Sequence, residues 1–319
     1  MSDRRRFRRH LGDAVAFGVL AAGLAGFIGI HELARHVQPQ LGVFCLLAAL
    51  ACATQRLWLA CGAWGLVAGL ALYPVLPEYL PPSGHEALGC RLTVVTFNQL
   101  EEHPDTLGAA RLLAGLRPDI IFAQKIYDTR GFRDALLASG FAGFHDFLSP
   151  ENGQLIVSRF PLRQTISNRD GMSADAVIAG TTVWLRNMYA QRPIGEHGKP
   201  AIYHQYYARL AAEISAHPGP LILAGDGNAS IFTGEIQNLR RRLKDAWDEA
   251  GFGLGATFPG PWRRLGFLGP WVRIDYVFHG DAFVATAARR ISDATGAGHY
   301  PVWAELSFLG HGDVHGRCE

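Results

Sequence analysis

The chain has 319 residues, 49% of them hydrophobic and only 18% charged, with a formal net charge of +2; that length predicts two parts, and so few charges argue against a wholly soluble protein. The first ten residues hold five arginines against Asp3, and residues 11–80 hold Arg35 and Arg56 against Asp13, Glu32 and Glu78, which leaves the remainder at −1. A protein that grips long nucleic acids presents a basic footprint, so nucleic acid is disfavoured as a partner.

The apolar excess lies in the first eighty residues. Leu11–Leu33 is nearly unbroken apart from Asp13, and Leu41–Leu80 is broken mainly at Thr54-Gln55-Arg56. About 20 helical residues cross a hydrocarbon core of ~30 Å, so residues 11–80 predict three transmembrane helices with a tight turn at Gln55-Arg56. A cleaved signal peptide is the competing reading of the first run; its length and the lack of a small-x-small cleavage site oppose it. Arg4, Arg5, Arg6, Arg8 and Arg9 precede the first run. They predict a cytoplasmic amino terminus and, after three crossings, a large domain in the periplasm of a bacterial inner membrane. The lipid bilayer is then one expected partner and other membrane protein subunits a second. Asp13, His31 and Glu32 belong at head-group level or against another helix. Pro77, Pro81, Pro82 and Gly84 mark a linker over residues 81–90. Cys45, Cys52 and Cys61 fall in the expected spans, where a small apolar side chain is ordinary. Cys90 and Cys318 could pair in an oxidising periplasm or remain free thiols.

From Arg91 to Phe308 strand and helix signals alternate. Strands are expected at Leu92–Asn98, Ile120–Gln124, Gln154–Ser158, Thr165–Ser167, Val177–Thr182, Val183–Met188, Pro220–Ala224, Arg273–Phe278 and Val302–Phe308. Helices are expected at Thr106–Leu116, Gly131–Ser139, Tyr203–Ala216 and Arg240–Glu249. Trp262, Phe267, Leu268 and Trp271 share a Gly/Pro-rich loop with Arg263 and Arg264, a composition that suits a lipid surface, a protein partner or a folded-back satellite core. Residues 309–319 read as a flexible tail.

Several short segments carry chemistry. Val94–Asn98 ends a strand on Asn98, and Gln124 is followed by Lys125. Later come Asn187-Met188-Tyr189, Gly225-Asp226-Gly227-Asn228, Arg273-Ile274-Asp275-Tyr276 and Gly298-His299-Tyr300-Pro301, with Ser158-Arg159-Phe160-Pro161 and Thr257-Phe258-Pro259 as further landmarks. In order and spacing, residues 91–308 resemble the endonuclease/exonuclease/phosphatase superfamily, and the membrane segment looks like that of a bacterial subgroup with an outward-facing catalytic domain. The resemblance implies an α/β fold, a four-layer α/β sandwich of two mixed sheets flanked by helices. It implies phosphoester hydrolysis with Mg²⁺ or Mn²⁺ polarising the phosphoryl oxygen. Carried over residue by residue, Asn98 would assist the metal and Asp226 would orient or deprotonate water. Asn228 would hold the phosphate, Asp275 would support the site, and His299 would contact the phosphate or transfer a proton. Each also has a plain structural reading, as a strand-end, turn-forming or buried polar group.

Three positions depart from the family pattern. Lys125 stands where the metal-binding Glu belongs, Tyr189 where a His belongs, and Gly298 where an Asp should orient His299. Mg²⁺ prefers oxygen ligands that include carboxylates. A Glu-to-Lys change moves two unit charges, each worth ~4 kcal/mol at ~4 Å and an effective dielectric near 20. The Lys125 ammonium is expected within ion-pair distance of Asp226 or Asp275, with Asn98 or Asn228 beside it, standing in for the metal charge. Lys125, Tyr189, Asn228 and His299 would keep an anion-binding pocket. The residues thus predict a catalytically impaired pseudoenzyme without a metal cofactor, acting as a binding or accessory subunit of a membrane complex. The alternative is a divalent-metal-dependent phosphodiesterase or phosphatase acting on a small or lipid phosphate ester.

Overall fold

The structure, a computed structural model, describes residues 32–82, 88–100, 105–141, 143–168, 171–193, 198–261, 263–309 and 316–319. The chain divides into two compact units, Met1–Leu80 and Pro81–Glu319. In the smaller unit α1 (Glu32–His36), α2 (Gln38–Thr54) and α3 (Trp58–Leu72) follow one another, and α3 runs on into a 3-10 helix at Tyr73–Tyr79. The turn between α2 and α3 places Arg56 at φ 58°. Phe44 and Trp64 pack edge to face across the pair at 5.8 Å, and Gln38 Nε2 donates to Ala71 O at 3.1 Å. Leu47, Leu50, Leu59 and Leu66 point outward and are exposed, so neither helix has a polar face. Trp58–Tyr79, 22 residues, is long and apolar enough to cross a membrane, whereas Gln38–Thr54 is shorter. The first expected span, apart from Glu32 and Leu33, lies outside the described residues.

The larger unit is built on two mixed sheets. The first runs β11 (Phe283–Arg290), β12 (Val302–Phe308), β1 (Cys90–Asn98), β2 (Ile120–Gln124), β4 (Gln154–Ser158) and β3 (His145–Ser149). The second runs β5 (Leu162–Asn168), β6 (Gly171–Ile178), β7 (Thr181–Tyr189), β8 (Leu221–Asp226), β10 (Asp275–His279) and β9 (Lys244–Asp245). Successive strand residues face opposite ways, and that alternation produces the layers. Val94, Ile120, Phe122, Leu185, Ile222, Ala224 and Val277 meet between the sheets. Their neighbours Val95, Phe97, Ile121 and Ala123 face Leu113 of α4 (Thr106–Gly115) and Phe132 and Leu136 of α5 (Thr129–Ala138). On the opposite side Met188, Leu223, Tyr276 and Phe278 cover Tyr203, Tyr207 and Leu210 of α6 (Pro200–Ala216) and Ile236 and Leu239 of α7 (Gly234–Arg240). These layers are the α/β sandwich that the family resemblance implies.

The structure corrects several expected elements. Val177–Thr182 is not one strand: Ala179 and Gly180 take φ 47° and 76° and turn β6 back into β7. Arg240–Glu249 is not one helix. Lys244-Asp245 pairs with Phe278-His279 as an edge strand, and the Asp245 carboxylate accepts from Trp247 N to start α8 (Ala246–Ala250). Strands β3 and β11 were not foreseen. Of the expected tail, residues 310–315 lie outside the described residues, and residues 316–319 are not loose. Gly316-Arg317 forms β13, parallel to β1 at Cys90-Arg91, and Cys318 is disulfide-bonded to Cys90. Arg317 and Arg159 both ion-pair with the fully buried Asp119, at 2.9 and 2.7 Å. Asp119 also accepts from Thr93 N at 2.7 Å.

The disulfide closes a long loop onto a central strand, and such crosslinks contribute about 2–4 kcal/mol. Cys318→Ser should therefore lower the Tm of the larger unit. Equal melting of parent and variant under non-reducing conditions would show that the bridge contributes nothing.

Candidate active site

Strand ends from both sheets converge on one buried polar seam. β1 ends on Asn98 and β2 on Gln124, in parallel register; β8 ends on Asp226, opposite Asp275 at the start of antiparallel β10. Gln124 Nε2 donates to Asn187 Oδ1 at 2.8 Å, and Asn187 Nδ2 donates to Ala123 O and Leu155 O at 2.9 and 3.2 Å. These bonds tie β7 of one sheet to β2 and β4 of the other. Asn98 Nδ2 makes a second tie, donating to Asp226 Oδ2 at 2.8 Å.

Asp226 is 1% exposed. The glycine ahead of it is dictated by packing: Gly225 has φ 148°, and a Cβ there would lie 1.9 Å from Met188 O. Beyond it, Asn228 sits in the left-handed region at φ 46°, its N–H bonded to Asp226 Oδ1 at 2.8 Å. The Asn228 amide is spent within the site, on Ala190 O at 2.8 Å and Asp226 Oδ2 at 3.0 Å. It therefore holds the aspartate rather than presenting an amide N–H to a phosphate.

His299 is oriented after all. Gly298 has no carboxylate, but Asp275 Oδ2 lies 2.8 Å from His299 Nδ1. Thr257 Oγ1 locks the carboxylate at 2.6 Å and receives Ile274 N and Asp275 N. The Phe258 ring packs 5.0 Å from the imidazole. Asp275 thus does the work expected of an acid at position 298 and leaves Nε2 for proton transfer or contact with an anion. Thr257, known from sequence only as a landmark, is a positioning residue, as is Tyr207, whose Oη donates to Gly227 O at 2.6 Å.

Lys125 and Tyr189 lie on the other side of the seam. Lys125, at φ 52° and half-buried, holds its ammonium 5.9 Å from the Tyr189 ring centroid. Its charge acts on both Asp226 and His299. Tyr189 is half-buried, with its N–H bonded to Tyr206 Oη at 3.1 Å. At Gly298 a Cβ would lie 2.6 Å from Leu100 Cβ. Leu100 is buried at φ 62°, and its N–H donates to Asn98 Oδ1 at 3.1 Å. Leucine fills the space that a side chain at position 298 would need.

Residues 95–298 match the model of the endonuclease/exonuclease/phosphatase family. The chain belongs to that family. No curated protein matches it. The solved structures it resembles include a family protein from Bacteroides thetaiotaomicron, at 16% identity and TM-score 0.55 over 70% of this chain and 98% of that one. Another is the 3′ phosphatase NExo from Neisseria bound to product DNA hairpin, at 21% identity and TM-score 0.55 over 67% of this chain and 98% of that one. A family protein from Leptotrichia buccalis matches at 13% identity and TM-score 0.53 over 68% of this chain and 100% of that one. At such identities the likeness is one of fold.

Asp226, Asp275 and His299 each offer a ligand atom within 4.8 Å of the others. Most of their polar atoms are nevertheless engaged. Both Asp226 oxygens, one Asp275 oxygen, His299 Nδ1 and Asn98 Oδ1 already have partners. Asp275 Oδ1 is buried without a hydrogen bond. Burial, reinforced by Asp275, pushes the Asp226 carboxyl up to about 6 against the lowering influence of His299, the Asn228 N–H and Lys125. For His299 burial works towards the neutral form, but the carboxylates of Asp275 and Asp226 outweigh it and raise its pKa.

Both groups bind protons more tightly in the folded state, so stability is lost as pH rises. For Asp226 the window runs from the ordinary 3.8 to about 6; for His299 it lies above the ordinary 6.5. Asp226→Asn should flatten the acid part of the stability–pH profile, removing a slope worth at most about 3 kcal/mol. A variant profile parallel to the parent's through this window would refute the assignment.

Proposed function

We propose that this chain is a membrane-anchored family member whose hydrolytic site persists as a metal-free phosphate-ester-binding site, serving as a binding or accessory subunit of a membrane complex. The observation that carries this reading is the division of the site. Its proton-handling side, Asp226, Asn98, Asn228, Asp275 and His299, is complete and hydrogen-bonded within itself. Its metal side has Lys125 at the position where a carboxylate would be needed. Mg²⁺ or Mn²⁺ fits these residues poorly. A hard cation needs several oxygens, and here it would have to displace the partners of Asp226 and share the space with an ammonium. Lys125 and a protonated His299 supply the positive charge that a bound phosphate requires, lysine acting as a point charge.

Anchoring is supported by the apolar Trp58–Tyr79 helix and the outward leucines beside it. The arginine cluster ahead of the apolar segment supports a cytoplasmic amino terminus. A disulfide in the larger unit suits an oxidising compartment such as the periplasm. A second reading, a divalent-metal phosphodiesterase or phosphatase, is favoured by the orphaned Asp275 Oδ1 within the cluster of Asp226, Asp275 and His299.

Two outcomes decide between them. Purified protein should bind inorganic phosphate, lose that binding on Lys125→Ala, and hydrolyse bis(p-nitrophenyl) phosphate with Mg²⁺ or Mn²⁺ no faster than Asp226→Ala. Metal-dependent turnover abolished by Asp226→Ala would reject the binding role in favour of the hydrolase. Separately, Lys125→Glu should lower Tm by placing a third carboxylate beside Asp226 and Asp275, and Mg²⁺ should restore part of the loss. Parent-like melting of Lys125→Glu without metal would show that Lys125 does not balance the two acids.

A further inference from the structure

Trp262 of the aromatic-basic loop lies outside the described residues and Trp271 is half-buried, but the tip of the loop is not folded back into a satellite core. Phe267 is 81% exposed and Leu268 67%, with Leu265 beside them at 47%, and Arg264 is exposed in the same turn. The tip is held firmly. Gly266 N bonds Arg263 O at 2.7 Å, Arg263 N bonds Gly260 O at 3.1 Å, and Leu268 N bonds Leu265 O at 3.0 Å around a 3-10 turn at Gly266–Leu268. Leu265 takes φ 70° to permit that turn, a conformation unfavourable for a branched residue unless its surroundings enforce it. Compact loops with close ends often carry function. This one closes at an isolated bridge between Phe258 and Val272. Its base touches the site: Gly260 N bonds Gly298 O at 2.6 Å, and Phe258 packs on His299.

We infer that this loop is a lipid-surface wedge, with Phe267 and Leu268 entering the acyl boundary and Arg263 and Arg264 lying against lipid phosphates, so that the neighbouring site receives the phosphate of a lipid head group. The inference rests on the phosphate-binding reading above and names the source of the phosphate. Apolar side chains flanked by arginines are what an interfacial segment needs, the arginine stems lying along the apolar surface while the guanidinium groups meet the phosphates. Charge complementarity is local, since the chain after residue 80 has a formal charge of −1. The same chain carries a helix apolar and long enough to cross a bilayer, and only residues 80–89 separate that helix from β1.

The test uses the full chain in vesicles of phosphatidylethanolamine and phosphatidylglycerol. A photo-crosslinking benzophenone amino acid replaces Phe267 or, as control, the exposed Ile166 of β5. After irradiation, mass spectrometry should find lipid adducts several-fold more abundant at position 267 than at 166. Arg264→Gln should reduce the yield at 267 in these vesicles and not in vesicles of phosphatidylcholine alone. Equal adduct yields at the two positions, or adducts at 267 only to a second copy of the chain, would overturn the wedge. Phosphate binding in detergent, measured by calorimetry on the same preparations, reports on the site alone, so the two readings fail separately. Phe267 packs against little, so unchanged melting of the labelled chain checks that it remains folded.

Discussion

The hydrogen bond from Asn98 to Asp226 joins the two sheets at the ends of β1 and β8, and the chemistry of the site follows from that position. A carboxylate held between sheets is stripped of water, and burial of an uncompensated charge is costly. Asp226 meets this demand with hydrogen bonds from Asn98, Asn228 N–H and Asn228 Nδ2, and with a raised affinity for a proton. Gln124 and Asn187 make a parallel tie one strand away, so the convergence of strand ends is itself held by side chains. Tight approach of β7 and β8 then forces glycine at 225, which is why the motif around Asp226 takes the form it does.

Two facing acids, Asp226 and Asp275, need positive charge nearby. In a metal-dependent site an ion supplies it; here the charges of His299 and Lys125 both act on Asp226. The pairing of His299 with Asp275 means that the imidazole does not depend on residue 298, and the glycine there is matched by Leu100 rather than left as a hole. Placing an aspartate at 298 alone would drive its Cβ into Leu100, so an acid there requires a change at Leu100 as well.

Much of the fold was legible. β-branched runs ending on polar residues marked β1, β2 and β4 to within about two residues, because a buried strand has few other ways to satisfy its backbone. Failures fell where local pattern and tertiary pairing disagree. Val177–Thr182 is β-branched on both sides of a turn whose Gly180 was the visible signal, and Lys244-Asp245 leaves a helical pattern to pair with β10. Strand β11, Ala- and Arg-rich, has weak intrinsic preference and is held by β12. At the site, residue identities were readable from motifs, but partnerships were not. The acid that orients His299 lies 24 positions away, and Asn228, expected at the phosphate, is consumed in holding Asp226. The aspartate at the start of α8 was the overlooked cue to the break in the expected helix.

Strand β1 connects these observations. Its first residue is bonded to Cys318 and its neighbour pairs with β13. Thr93 is bonded to Asp119, which in turn anchors Arg159 and Arg317. Its last residue is fixed to Asp226 across the seam. A strand restrained at both ends presents Asn98 in one place without help from a ligand. Binding then loses little to ordering of the site, and the order that a metal would impose is supplied by covalent and ionic restraints of the chain itself. The geometry of the site is thus held by the two sheets and by the restraints on β1.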